Sequence, residues 1–183
     1  MNRRCLIPGI FVGIAIATAP LYSQSKSNVL EANKKVAVAG LEAWNKGDTS
    51  HLTDLIAEKG KWWMGGNVYP WNPQVEASAM KGWLSAFPDT RVVIDDVIAE
   101  GDRVVLRTTW TGTHKGEMES IPPTGRVVKF SETVIYRFEN GKMVEVWVDW
   151  DELGMYRQLG ALPPGSPHPV EVKKQTGTLS TTK

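Results

Sequence analysis

Thiols are almost absent from this chain. A single cysteine, Cys5, occurs among 183 residues, and it lies ahead of an apolar run at the N-terminus. A body without cysteine has no internal disulfide, no Cys-based metal ligation and no thiol nucleophile. Histidine is nearly as scarce. His51 falls on the polar side of a predicted helix, His168 lies among prolines near the C-terminus, and His114 ends a predicted strand in "GTHKGE". No His-x-x-x-His pair or His/Asp cluster with ligand spacing is present, so the expectation is that there is no metal site. An excess of one charge is also missing. With 21 basic and 20 acidic residues the formal charge is +1, which leaves no electrostatic footprint for nucleic acid. A G-x-S-x-G elbow, a P-loop and a dinucleotide fingerprint are all lacking. Any chemistry must therefore rest on carboxylates, hydroxyls and ring nitrogens.

The N-terminal 23 residues read as a signal peptide. Arg3 and Arg4 form a basic start, Leu6 to Ala19 is apolar, and small or polar residues follow. The run is too short for a comfortable membrane span. Removing residues 1–23 takes away both arginines and Cys5 and moves the formal charge from +1 to −1. The expected location is outside the cytoplasm, periplasmic or secreted, with no membrane attachment after cleavage.

The body, residues 28–162, changes character halfway. Val29, Ala32, Val36, Ala39 and Ala43 recur at helical spacing, and "NKGD" ends that helix. Asp48 is a candidate cap for a short second helix, "DTSHLTDLIAE". "KWWMGG" reads as a short strand, "NVYPWNP" as a loop, and "QVEASAMKGWLSAF" as a third helix stopping before Pro88. Two β-rich hairpins follow, turning at Gly101-Asp102 and at Asn140-Gly141. After a last short helix, residues 163–183 are rich in Pro, Gly, Ser and Thr and read as a disordered tail. Helices followed by antiparallel strands predict an α+β domain with helices on one face of a curved sheet.

A two-residue turn at Asn140-Gly141 pairs Glu139 with Lys142, and a regular ladder then follows. Phe138 faces Met143, Tyr136 faces Glu145, Val134 faces Trp147 and Glu132 faces Asp149. Alternation puts all of them on one side of the sheet. Aromatic walls with a few convergent carboxylates suit a small-molecule pocket, and desolvated carboxylates suit acid/base work near neutral pH. An ordinary solvated strand end fits the same pattern. Eight tryptophans is a high count. Trp44 and Trp83 fall on helices as core candidates. Trp62, Trp63 and Trp71 flank a Gly/Pro-rich stretch, where they either line a cavity mouth or anchor the loop. His114 is a further candidate for the pocket rim.

The segments "AWNKGDTSHLTDLIAE", "FPDTRVVIDDVIAEGDRVVLRTTWTGTHKGE", "IPPTGRVV" and "NGKMVEVWVDWDELGMYRQLG" resemble the SnoaL-like polyketide cyclases, also called ester cyclases, of the nuclear transport factor 2-like superfamily. The resemblance runs from about Val36 to Gly160. It implies a cone-shaped α+β barrel in which a strongly curved antiparallel sheet encloses an apolar cavity closed by the N-terminal helices. It also implies dimers through the outer sheet face, no metal or cofactor, and an aspartate acting as general acid/base in an intramolecular aldol closure. Carried onto this chain, that aspartate is Asp151, four positions after Trp147, and Tyr136 stands where the family has a histidine. The resemblance and the hairpin register taken together give Asp151 and Tyr136 as catalytic groups, with Trp147, Glu132, Asp149, His114 and Trp63 around the substrate. Two functions follow as expectations. One is a cofactor-independent cyclase, isomerase or lyase acting on a small apolar carbonyl compound. The other is an exported binding protein that holds an apolar ligand in the same cavity without turnover.

Overall fold

In the computed structural model, residues 19–161 are described, with side chains from Lys26 onward. The tail at 163–183 and most of the signal-peptide segment lie outside that range. The chain runs α1 (Ala19–Lys46), α2 (Leu52–Leu55), β1 (Ile56–Met64), β2 (Asn67–Trp71), α3 (Pro73–Ala86), β3 (Arg91–Glu100), β4 (Arg103–Thr113), β5 (Val127–Glu139), β6 (Lys142–Trp150) and α4 (Glu152–Leu159). All six strands join one sheet in the order β2-β1-β6-β5-β4-β3. Every neighbouring pair is antiparallel except β1 and β6, which run parallel. The helices cover one face, as expected for α+β.

Three local expectations are corrected. The second helix is a single turn, Leu52–Leu55, and Ile56 already belongs to β1. Asp48 accepts from the backbone N and Oγ of Ser50, which holds a tight turn in place of a helix cap. "NVYPW" is a strand where the prolines suggested a loop. Gly65 and Gly66 turn the chain with φ of +56° and +78°, and Pro70 is tolerated because β2 is an edge that needs no donor there.

The fourth correction matters most for the site. Asn140 and Gly141 form the predicted turn, with φ of 51° and 76°, and Glu139↔Lys142 and Phe138↔Met143 pair as expected. The register then shifts. Arg137 opposes Glu145, Tyr136 opposes Val146, Ile135 opposes Trp147, Thr133 opposes Asp149 and Glu132 opposes Trp150. Val144 is an extra, unpaired residue, which is a β-bulge, and one extra residue flips every side chain beyond it to the other face. Glu145, Trp147 and Asp149 therefore sit on the outer face of the sheet, and Val146, Val148 and Trp150 turn inward. β1 approaches so closely here that a Cβ on Gly60 would lie 2.6 Å from the Val144 carbonyl oxygen. Only glycine fits at that point.

The physical reason is burial. The regular ladder would bring two ionisable side chains inward and push three apolar ones out. In the bulged register Val146 is 3% exposed and Asp149 is exposed to solvent. Burying unpaired carboxylates costs several kcal/mol each, far more than one disrupted ladder hydrogen bond.

Candidate active site

The concave face of the sheet and helices α1 and α3 enclose a cavity of about 200 Å³. Six of the eight tryptophans line it: Trp44, Trp62, Trp71, Trp83, Trp110 and Trp150. The rings meet edge to face or stacked. Trp44 and Trp83 stand edge-on to Trp110 at 5.3 and 5.9 Å, and Trp110 stacks on Phe130 at 6.1 Å. Such pairs prefer these arrangements because of the ring quadrupole, and their rigidity gives the cavity a defined shape.

Two carboxylates face this space. Glu132 is the one carboxylate in the inward series Phe130, Glu132, Val134, Tyr136, Phe138 of β5. Thr108 lies directly opposite on β4, and Trp110 lies diagonally across. Both donate to one oxygen. Oε2 accepts from Trp110 Nε1 at 2.7 Å and from Thr108 Oγ1 at 3.0 Å. Among the described residues nothing bonds Oε1. Burial pushes the Glu132 carboxyl up to about 7, against the pull of its two donors. The nearby Glu76 charge adds to the rise.

Glu76 comes from α3, which Asn72 caps by accepting from Val75 N at 2.9 Å, with Pro73 in the first turn. Its two oxygens are both engaged, Oε1 by Trp44 Nε1 at 3.0 Å and Oε2 by Trp71 Nε1 at 2.8 Å. Burial raises its pKa, and the two indole donors oppose that rise. Tyr136 stacks on Trp71 at 6.2 Å, and among the described residues no hydrogen bond reaches its hydroxyl. Burial, then the charges of Glu76 and Glu132, push that hydroxyl well above 10, so it stays protonated and is a donor only to what enters the cavity. Trp62 Nε1 is buried without a partner. No lysine, arginine or histidine lines the cavity among the described residues.

Of the residues expected from the sequence, Tyr136 and Glu132 meet in the cavity. The others do not. Trp147 and Asp149 are on the outer face by the bulge, where Trp147 stacks on Trp63 at 6.2 Å with Arg103 over its ring. Trp63 is displaced for the same reason of parity, since Trp62 is its inward neighbour on β1. Asp151 lies past the end of β6, exposed, and its Oδ1 accepts from Gly154 N at 2.9 Å as the cap of α4. His114 is fully buried away from the cavity, stacked on Phe87 at 5.1 Å and held through Nδ1 by Thr124.

Sequence reasoning missed Glu76, Trp110 and Thr108. A signal for Glu76 exists. With Ala79, Met80 and Trp83 it occupies i, i+3, i+4 and i+7, so it is a charged residue on an apolar helical stripe. Trp110 and Thr108 needed the β4–β5 register.

The comparisons agree with this architecture. A profile of the family described as SnoaL-like polyketide cyclase matches residues 34–159. The chain is similar to the aklanonic acid methyl ester cyclase AcmA of Streptomyces galilaeus, 28% identical over 70% of this chain and 90% of that protein. Among solved structures it is similar to AclR from Streptomyces galilaeus, with 31% identity, coverage of 74% and 85%, and a TM-score of 0.66. It is also similar to IdmH from Streptomyces antibioticus, with 30% identity, coverage of 69% and 98%, and a TM-score of 0.61.

Proposed function

Since the chain belongs to the SnoaL-like polyketide cyclase family, we propose that it is a cofactor-independent acid/base enzyme for a small carbonyl compound, with Glu132 as the base. The observation that carries this is the free Oε1 of a carboxyl titrating near 7, in a cavity whose walls are aromatic rings and aliphatic side chains. A base poised near working pH is effective because it is both ionised and basic enough to take a proton α to a carbonyl. Tyr136, protonated and otherwise unbonded, donates to the oxygen that gains charge as the enolate forms. The proton held by Glu132 is then available for the product alkoxide, so an aldol closure balances without a metal or cofactor. Aklanonic acid methyl ester, the substrate in the name of AcmA, and simpler β-keto esters serve as probes. Enzyme-dependent exchange of the α-hydrogen for deuterium, or closure to an isomer of unchanged mass, is the expected result. Ligand binding without either would leave the second reading, a binding protein, which the six-tryptophan lining favours.

The same reading includes a dimer through the outer sheet face. Cross-strand partners Val68, Trp63, Trp147, Ile135, Val105 and Ile98 form one apolar row across all six strands. Its ends are open to solvent, with Val68 47% and Ile98 63% exposed. A continuous apolar row of that kind suits association with a second copy. Ile135→Asp should convert a dimer to a folded monomer by light scattering, and a wild-type chain that elutes as a monomer would refute the assignment. We also place the mature protein outside the cytoplasm, on the basic and apolar pattern of residues 1–23. Intact mass of the exported protein should show loss of that segment, and retention of Met1 in a cytoplasmic fraction would contradict it.

A further inference from the structure

The two carboxylates of the cavity have no cationic partner. Glu76 and Glu132 are held only by neutral donors, three indole N–H groups and one hydroxyl. No basic side chain lines the space among the described residues. Buried carboxylates are as a rule paired with a positive charge or a metal. Protonation is the other way to neutralise them, and the geometry at Glu76 opposes it. Each of its oxygens receives an indole N–H, whereas the hydroxyl oxygen of a carboxylic acid is a poor acceptor. The arrangement is built for the ionised form. Glu132 differs, since it accepts both of its donors on Oε2 and leaves Oε1 open toward the cavity.

The walls indicate what kind of cation would fit. A metal ion would need further oxygen or nitrogen donors, and the described residues contain no group of three or more His, Cys, Asp or Glu side chains able to hold one. Beside the carboxylates and aliphatic Leu41, Met64, Ala79, Val134, Val146 and Val148, the rest of the lining is aromatic, six tryptophans with Phe130 and Tyr136, and aromatic faces attract weakly hydrated organic cations through the ring quadrupole. That attraction is strongest for tryptophan and grows when the site is desolvated.

We propose that the ligand of this cavity carries an organic cation, a protonated amine or a quaternary ammonium, lodged among the tryptophan rings beside Glu76 and Glu132. The inference rests on the cavity being the site proposed above and names the class of compound it takes. The carbonyl end of such a ligand lies at Tyr136 and Glu132 Oε1, and its charge supplies the partner that Glu76 lacks.

Choline and 3,3-dimethylbutan-1-ol are a matched pair of probes, alike in shape and differing in charge, and the cavity is large enough for either. Titration is followed by tryptophan emission and by calorimetry at about pH 8.5, above the Glu132 titration. Choline should bind at least about tenfold more tightly than the alcohol, from cation–π attraction and the carboxylates together. Glu132→Gln keeps the acceptor for Trp110 and Thr108 and should shrink that preference. Glu76→Gln should shrink it further. Equal affinities, a preference for the alcohol, or no response to either probe overturns the inference. So does a preference unchanged in both variants. Because the readout is binding, its failure is separable from that of the proposed reaction: deuterium exchange lost in Glu132→Gln would stand without a cation preference, and the preference would stand without exchange.

Discussion

Glu132→Gln is expected to lower kcat/KM by roughly 10²- to 10⁴-fold, the usual contribution of a positioned general base. The fold should survive. Glutamine is isosteric, and its carbonyl oxygen can keep both donors, Trp110 Nε1 and Thr108 Oγ1. Only the basicity of the group facing the cavity is lost. In the wild type the base works ionised, so kcat/KM should rise with pH through about 7 and level above it. The same group leaves a mark on stability. Its folded-state pKa lies above the ordinary 4.5, so the fold binds the proton more tightly than the unfolded chain does. That contribution is complete below about 4.5 and is lost as pH rises through about 7; Glu132→Gln should flatten the dependence. Asp151→Asn is the contrasting variant. Asparagine caps a helix as well as aspartate, and the side chain is exposed at the start of α4, so turnover should stay within a few-fold of wild type. Full activity in Glu132→Gln, or its loss in Asp151→Asn with the fold intact, would return the base to Asp151.

Inserting one alanine between Glu145 and Val146 is expected to abolish the native fold. With Arg137 still opposite Glu145, the chain beyond the insertion pairs one residue out of step and inverts its faces. Val146, Val148 and Trp150 would leave the cavity side, at roughly 1.5–3 kcal/mol for each side chain exposed. Asp149 would enter it without a partner, and an unpaired buried carboxylate costs several kcal/mol. Together these approach or exceed a total stability of about 5–15 kcal/mol. The tryptophan near-ultraviolet circular dichroism should collapse and cooperative unfolding should vanish. An insertion variant with wild-type spectrum and melting would show that parity does not set the face of β6. Deleting Val144 is the contrasting variant. It leaves Arg137 opposite Glu145 and Tyr136 opposite Val146 in an unbroken ladder, keeps every face, and should retain both signals.

Several features of this protein were legible along the chain. Helices before strands, the two hairpin turns and the α+β class follow from periodicity and turn chemistry, which are local. The family segments carried the overall architecture. Tyr136 and Glu132 were also legible as inward positions, because β5 alternates regularly up to its turn. The bulge left a trace as well. Met143 and Val144 are adjacent apolar residues, and after them only the even positions Val146, Val148 and Trp150 are apolar throughout. Assuming an unbroken ladder concealed it.

Tertiary structure decided the rest. It set the parity of β6, because the cost of burying Glu145 and Asp149 outweighs the loss of one ladder bond. It brought β1 alongside β6 in parallel, which no local pattern announces. It also joined Glu76 of α3 to Trp44 of α1 and Trp71 of β2, and Glu132 of β5 to Trp110 of β4. A carboxyl acquires a raised pKa only from what surrounds it, and those surroundings come from residues distant in the chain, Trp44 beside Glu76 and Glu76 near Glu132. The sequence by itself determined which acids exist and that the core would be aromatic. Which acids face the cavity was settled by one extra residue in β6 and by the desolvation that packing imposes.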